Sequence, residues 1–106
     1  MFTVDPDPKF THDVKVRVPA DGGFVDQTFK ATFRVIPTDE MAGFDLTDRD
    51  SSTNFLRRAI VSMDGLVGAD GKTAIPYSDV LRDQLLSVPY VRTALGITYF
   101  DAVAGS

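Results

Sequence analysis

The stretch Phe24–Ile36, FVDQTFKATFRVI, decides the fold. Val25, Phe29, Ala31, Phe33 and Val35 are apolar, while Asp26, Thr28, Lys30, Thr32 and Arg34 between them are polar. That period of two predicts a long strand with one wet face. A face carrying Phe29 and Phe33 must be covered, and only the apolar stripes downstream are long enough to cover it. On the N-terminal side, His12–Val18 alternates again, with Val14, Val16 and Val18 opposed to Asp13, Lys15 and Arg17. Pro19-Ala20-Asp21-Gly22-Gly23 then turns the chain, so the reading is an antiparallel hairpin with strands over about 12–18 and 24–36. Residues 1–11 contain Asp5-Pro6-Asp7-Pro8, whose prolines favour an extended arm without regular structure.

Beyond the hairpin the pattern turns helical. Pro37 ends the strand, and Thr38 with Asp39 and Glu40 predicts a short helix that Gly43 interrupts. After a polar loop, Asp50 or Ser51 is placed to cap a second helix running to about Met63, with Phe55, Leu56, Ala59, Ile60 and Met63 on its apolar stripe. Residues 64–76 hold three glycines between Asp64 and Thr73 and predict turns or a small irregular hairpin. Ser78 then caps a third helix burying Leu81, Leu85 and Val88, and Pro89 to about Val103 forms a fourth. The expected architecture is one α+β domain over 1–106, an N-terminal antiparallel β-hairpin packed by three to four C-terminal helices, the helical part spanning 38–103.

Composition narrows the function classes. The 106 residues are 43% hydrophobic and 25% charged, ordinary values for one globular core. With no cysteine, the chain has no disulfide, thiolate metal site or thiol nucleophile. Eleven Lys and Arg against 15 Asp and Glu give a net charge of −4, the wrong sign for a nucleic-acid or anionic-membrane partner. No apolar run approaches the ~20 residues of a membrane span, and the N-terminal residues lack a signal-peptide pattern, so a soluble cytoplasmic protein is expected.

Three stretches invite a chemical reading. Gly71-Lys72-Thr73 ends like a phosphate-binding loop, but Leu66 stands where that motif needs its first glycine and Pro76 interrupts the helix that should follow. His12, the one histidine, has no nucleophile elbow to serve. Asp45, Asp48 and Asp50 lack the glycine and later glutamate of a calcium loop and read as caps and solvated charge. The expectation is no catalytic residue, no cofactor and no metal.

Phe55–Val103 nevertheless carries a pattern. A helix ends before Asp64-Gly65-Leu66-Val67; an Asp70-Gly71 turn follows; Ile75-Pro76-Tyr77-Ser78 caps a leucine-rich helix, and Pro89-Tyr90-Val91-Arg92 and Tyr99-Phe100 complete it. This half, with Thr32–Thr38 before it, resembles the tail assembly chaperones of long-tailed bacteriophages and related prophages. The resemblance implies a non-enzymatic factor in the host cytoplasm, not expected in the mature virion. It would bind the tape-measure protein, keep it soluble while tail-tube subunits polymerise, and possess no catalytic residues. The tail-tube protein and a second copy of the chain are further partners to consider. A small tail or head-tail joining protein retained in the particle is the alternative.

The surface for such a partner is sought on the fourth helix, which is apolar on two sides. Val91, Leu95, Thr98 and Ala102 form one face, and Tyr90, Ile97 and Phe100 lie well round the cylinder. The second set either packs beneath the hairpin or meets a partner. Phe24 and Ile36, on the otherwise wet face of the long strand, complete the candidate partner-binding residues.

Overall fold

The computed structural model describes residues 1–105. The hairpin dominates it: β1 (Lys9–Ala20) pairs antiparallel with β2 (Gly23–Arg34) from Lys9↔Arg34 to Ala20↔Gly23. Asp21 and Gly22 form the turn, where Gly22 takes φ +78°, a conformation that a side chain would strain. β1 extends beyond the expected 12–18 at both ends. Lys9–Thr11 belong to the sheet and not to the arm, because the alternation of Phe10, His12 and Val14 continues the β pattern. β2 stops at Arg34, short of the expected Ile36.

Phase along the hairpin agrees with the alternation, but depth varies. Val14, Val16, Phe29, Ala31 and Phe33 are buried, whereas Val25, on the same face as Phe29, is exposed. The distal half of the hairpin overhangs the core, and the molecule is correspondingly elongated at 45 × 31 × 27 Å.

The short helix α1 (Thr38–Met41) is capped by Pro37, not Thr38, and the cap residue offers no side-chain hydrogen bond, though the Glu40 amide donates to the Asp39 carboxylate at 3.0 Å. Helix α2 (Arg49–Ala59) begins two residues earlier than expected, with Asp48 rather than Asp50 or Ser51 as its cap. The Asp48 carboxylate accepts from the Ser51 amide at 2.9 Å. Asp48→Ala is expected to cost about 1 kcal/mol, read as a lowered urea midpoint.

The largest correction lies at the end of α2. The chain leaves the helix at Ile60 and forms a third strand, β3 (Ile60–Asp64), which pairs antiparallel with β2 to give the sheet order β1-β2-β3. Residues three apart point to opposite faces of a regular strand, yet Ile60 and Met63 are both buried. A bulge resolves this: Phe33 pairs with Ile60 and Thr32 with Ser62, so Val61 is inserted and the two apolar residues return to one face. All five residues of the expected helical stripe are core residues; two of them arrive there by strand geometry.

The glycine-containing segment forms a small irregular hairpin. Val67 bridges Ala74, the Gly68 amide donates to Thr73 O, and the Ile75 amide donates to Leu66 O. Ser78 then caps α3 (Asp79–Leu86), its hydroxyl accepting from Leu81 N at 3.1 Å. This helix buries Leu86; Leu81, Leu85 and Val88 are only half-buried, since α3 lies at the periphery. Pro89 occupies the first turn of α4 (Pro89–Val103), where its missing amide costs nothing.

Helix α4 packs along β1 and closes one contiguous core. Its Val91, Ala94, Leu95 and Tyr99 are buried. Tyr99 is the keystone: its ring meets Phe10, Phe33, Phe55 and Phe100, and its hydroxyl accepts the Ile36 amide at 3.0 Å. Among the described residues no helix is long and apolar enough to cross a membrane.

Candidate binding site

A concavity lies beneath the hairpin. Val16 and Val18 of β1 and Phe29 of β2 form its roof, Leu66 and Val67 from the irregular hairpin one wall, and Leu85, Val88 and Tyr90 from the α3–α4 corner the other. Its volume is about 510 Å³ and it opens to solvent. Its shape follows from what meets the sheet there: the start of α4 reaches Pro19 of β1, the irregular hairpin stands opposite, and the two leave a gap under Val18 and Phe29. Val67 and Val25 are about half exposed, at 51% and 50%. Apolar side chains left this open beside a cleft are a surface suited to another apolar segment.

The structure separates the five sequence-predicted residues. Tyr90 stands on the rim of this concavity and, with Ile97, also lines a groove between α4 and β1 of about 520 Å³. Both are exposed, at 39% and 57%. Phe100 is exposed too, but its ring stacks on buried Phe55 at 5.5 Å and meets Tyr99 edge-on, so it also supports the core. Phe24 lies near the hairpin tip under the Arg17 guanidinium, 4.5 Å from ring centroid to Cζ. Ile36 is a correction. It follows the end of β2, is buried at 4% exposure, and belongs to the core, so it cannot present a surface.

The residues considered for other chemistry are occupied locally. Asp70 accepts from the Thr73 hydroxyl and from the amides of Thr73 and Lys72, so the amides that a phosphate would need are already bound. The Thr73 hydroxyl, then these amides, hold the Asp70 carboxyl down at about 2. Asp45 is likewise lowered, chiefly by the Thr47 hydroxyl, and Asp83 by Arg82 and Arg57. His12 sits on β1 with Phe10 edge-on to it at 5.3 Å. No group of three or more metal-ligating side chains gathers among the described residues.

A carboxylate whose folded pKa is depressed stabilises the fold above its unfolded value and loses that contribution as pH falls through the folded one. Wild-type stability is therefore expected to fall between about pH 4 and about pH 2. Asp70→Asn should flatten part of that decline when urea midpoints are measured across the window.

Sequence reasoning separated Tyr90 and Ile97 from the Val91–Leu95 face without deciding between core and surface, and the structure leaves both exposed; it missed the concavity itself. The signal available was Leu66 and Val67, two apolar residues stranded among glycines and acids. Comparison with known proteins adds no relative: no family model, curated protein or solved structure matches the chain.

Proposed function

We propose that this chain is a non-enzymatic tail assembly chaperone of a long-tailed phage or prophage, binding the tape-measure protein and keeping it soluble in the host cytoplasm while the tail tube forms. The observation that carries the proposal is the open apolar concavity beneath the hairpin, set on an acidic body with net charge −4. An amphipathic helix can lay its apolar face into such a groove, with Val67 and Tyr90 as contact points. The pattern in Phe55–Val103 supports the identity of the partner, and the Asp64–Ile75 part of that pattern supplies the concavity's wall.

The test is co-expression with the tape-measure protein encoded beside it, followed by affinity purification and a solubility comparison against that protein alone. Co-purification with rescued solubility is expected. Mass spectrometry of purified virions separates the alternative: a chaperone is absent from the particle, whereas a joining or tail protein is present in stoichiometric amount.

A further inference from the structure

β1 is an edge strand: among the described residues no strand pairs with its outer side, which is flanked by α4. The Val35 amide donates to Pro8 O, which fixes the phase: even-numbered residues of this strand turn their backbone groups to β2, and Thr11, Asp13, Lys15 and Arg17 turn theirs outward. An unpaired edge of this length is a template for another strand. Pro19, also outward, has no amide to offer and marks the end of the usable edge.

The outward positions form a self-complementary series. In β1 they are Lys9, Thr11, Asp13, Lys15 and Arg17, and straightening the arm, which bends at Pro6 and Asp7 in the single chain, continues the series with Asp7 and Asp5. Laid antiparallel on a second copy about Thr11, the series sets Asp5 against Arg17, Asp7 against Lys15, Lys9 against Asp13 and Thr11 against itself. Every charged position meets its opposite. On the other face the same register pairs Val4 with Val18, Pro6 with Val16 and Pro8 with Val14, and both prolines fall where no outward amide is required.

The helices permit this arrangement. The grooves between α4 and the β1 edge run from His12 to Pro19, roofed by Tyr90, Ile97 and Asp101. In the stated register those positions lie opposite residues 10 to 3 of the second copy, so most of each α4 falls on its own side of the axis and only its C-terminal turns, where Tyr99 meets Phe10, reach it. The register also covers Val4, which is 84% exposed in the single chain, with the exposed flank of α4. The ion pairs that Asp7 makes with Lys9 and Asp13 with Lys30 are exposed and can rearrange at little cost.

We infer that two copies of this chain join β1 to β1 about a two-fold axis at Thr11, forming a continuous six-stranded sheet in which each arm lies beneath the α4 helix of the other copy. The inference stands whatever external partner the chain holds.

The full chain is expected to show twice its 11.6 kDa mass in light scattering. Lys15→Asp with Arg17→Asp should halve that mass, as should Asp5→Lys with Asp7→Lys, because each places like charges in register. An equimolar mixture of the two double variants should regain the doubled mass, since each then opposes the other's charges. The chain has no cysteine, so Thr11→Cys reads the axis directly: antiparallel hydrogen-bonded pairs stand about 5.5 Å apart at Cα, within disulfide reach. Thr11→Cys should form a covalent dimer on oxidation and Lys15→Cys should not. A monomeric full chain, a dimer indifferent to the charge reversals, or a dimer in which Thr11→Cys stays reduced overturns the inference.

Discussion

Tyr99→Ala is expected to remove about 3–5 kcal/mol of stability, a large share of the roughly 5–15 kcal/mol that holds a domain folded. Tyr99 is 2% exposed and lies where α4 meets the sheet and α2. Phe10 and Phe33 of the sheet stand 6.1 and 5.7 Å from its ring centroid, and Phe55 of α2 stands 5.1 Å away. Truncation leaves a cavity among aromatic rings that cannot collapse without moving α4 off β1. Tyr99→Phe isolates the hydroxyl. The ring stays, but the Ile36 amide, which donates to that hydroxyl in a buried position, loses its acceptor. The expected cost is about 1–3 kcal/mol, the penalty for an unpaired buried donor. Urea unfolding with an unchanged slope measures both values. A Tyr99→Phe variant as stable as the parent would show that the hydrogen bond contributes nothing.

The second large effect is on binding. Val67→Asp and Tyr90→Asp place a carboxylate in the concavity beneath the hairpin while leaving the fold intact, since both residues are well exposed. Each is expected to cost about 2 kcal/mol or more of partner affinity, roughly a thirtyfold loss, if it acts as an interface anchor. Val80→Asp is the control. Val80 is 69% exposed on α3 and does not line the concavity, so its substitution should leave co-purification of the tape-measure protein unchanged. Phe100→Asp is a poorer probe: losing the stack on Phe55 would weaken the core along with any surface role.

The hairpin was legible because alternation over Phe24–Val35 has no helical reading, and the cap at Ser78 and the start of α4 at Pro89 were legible from single residues with strong positional preferences. β3 was not. Ile60 and Met63 continue the spacing of Phe55, Leu56 and Ala59, and only the bulge at Val61 lets a strand bury both, a feature set by pairing with distant Thr32 and Phe33. Ile36 failed for a related reason. Its parity assigns it to the wet face only while the strand continues, and the strand stops at Arg34, so the side chain enters the core while the Ile36 amide donates to the Tyr99 hydroxyl. Of the candidate surface, helical angle alone separated Tyr90 and Ile97 from the Val91–Leu95 face but left open whether they pack beneath the hairpin, and their exposure is a result of the fold. The concavity was not legible, because it depends on how the irregular hairpin and the α3–α4 corner meet the sheet, a tertiary arrangement of elements far apart in the chain.

The account's central claim is that the concavity under the hairpin receives the partner. The most direct measurement is an NMR titration of the isotopically labelled chain with a soluble helical fragment of the tape-measure protein, following amide shifts residue by residue. The largest changes are predicted at Val18, Leu66, Val67, Val88 and Tyr90, with α1 and the Asp45–Asp48 loop unmoved. Saturable shifts confined to another face, or none at concentrations where the fragment remains soluble, would contradict it.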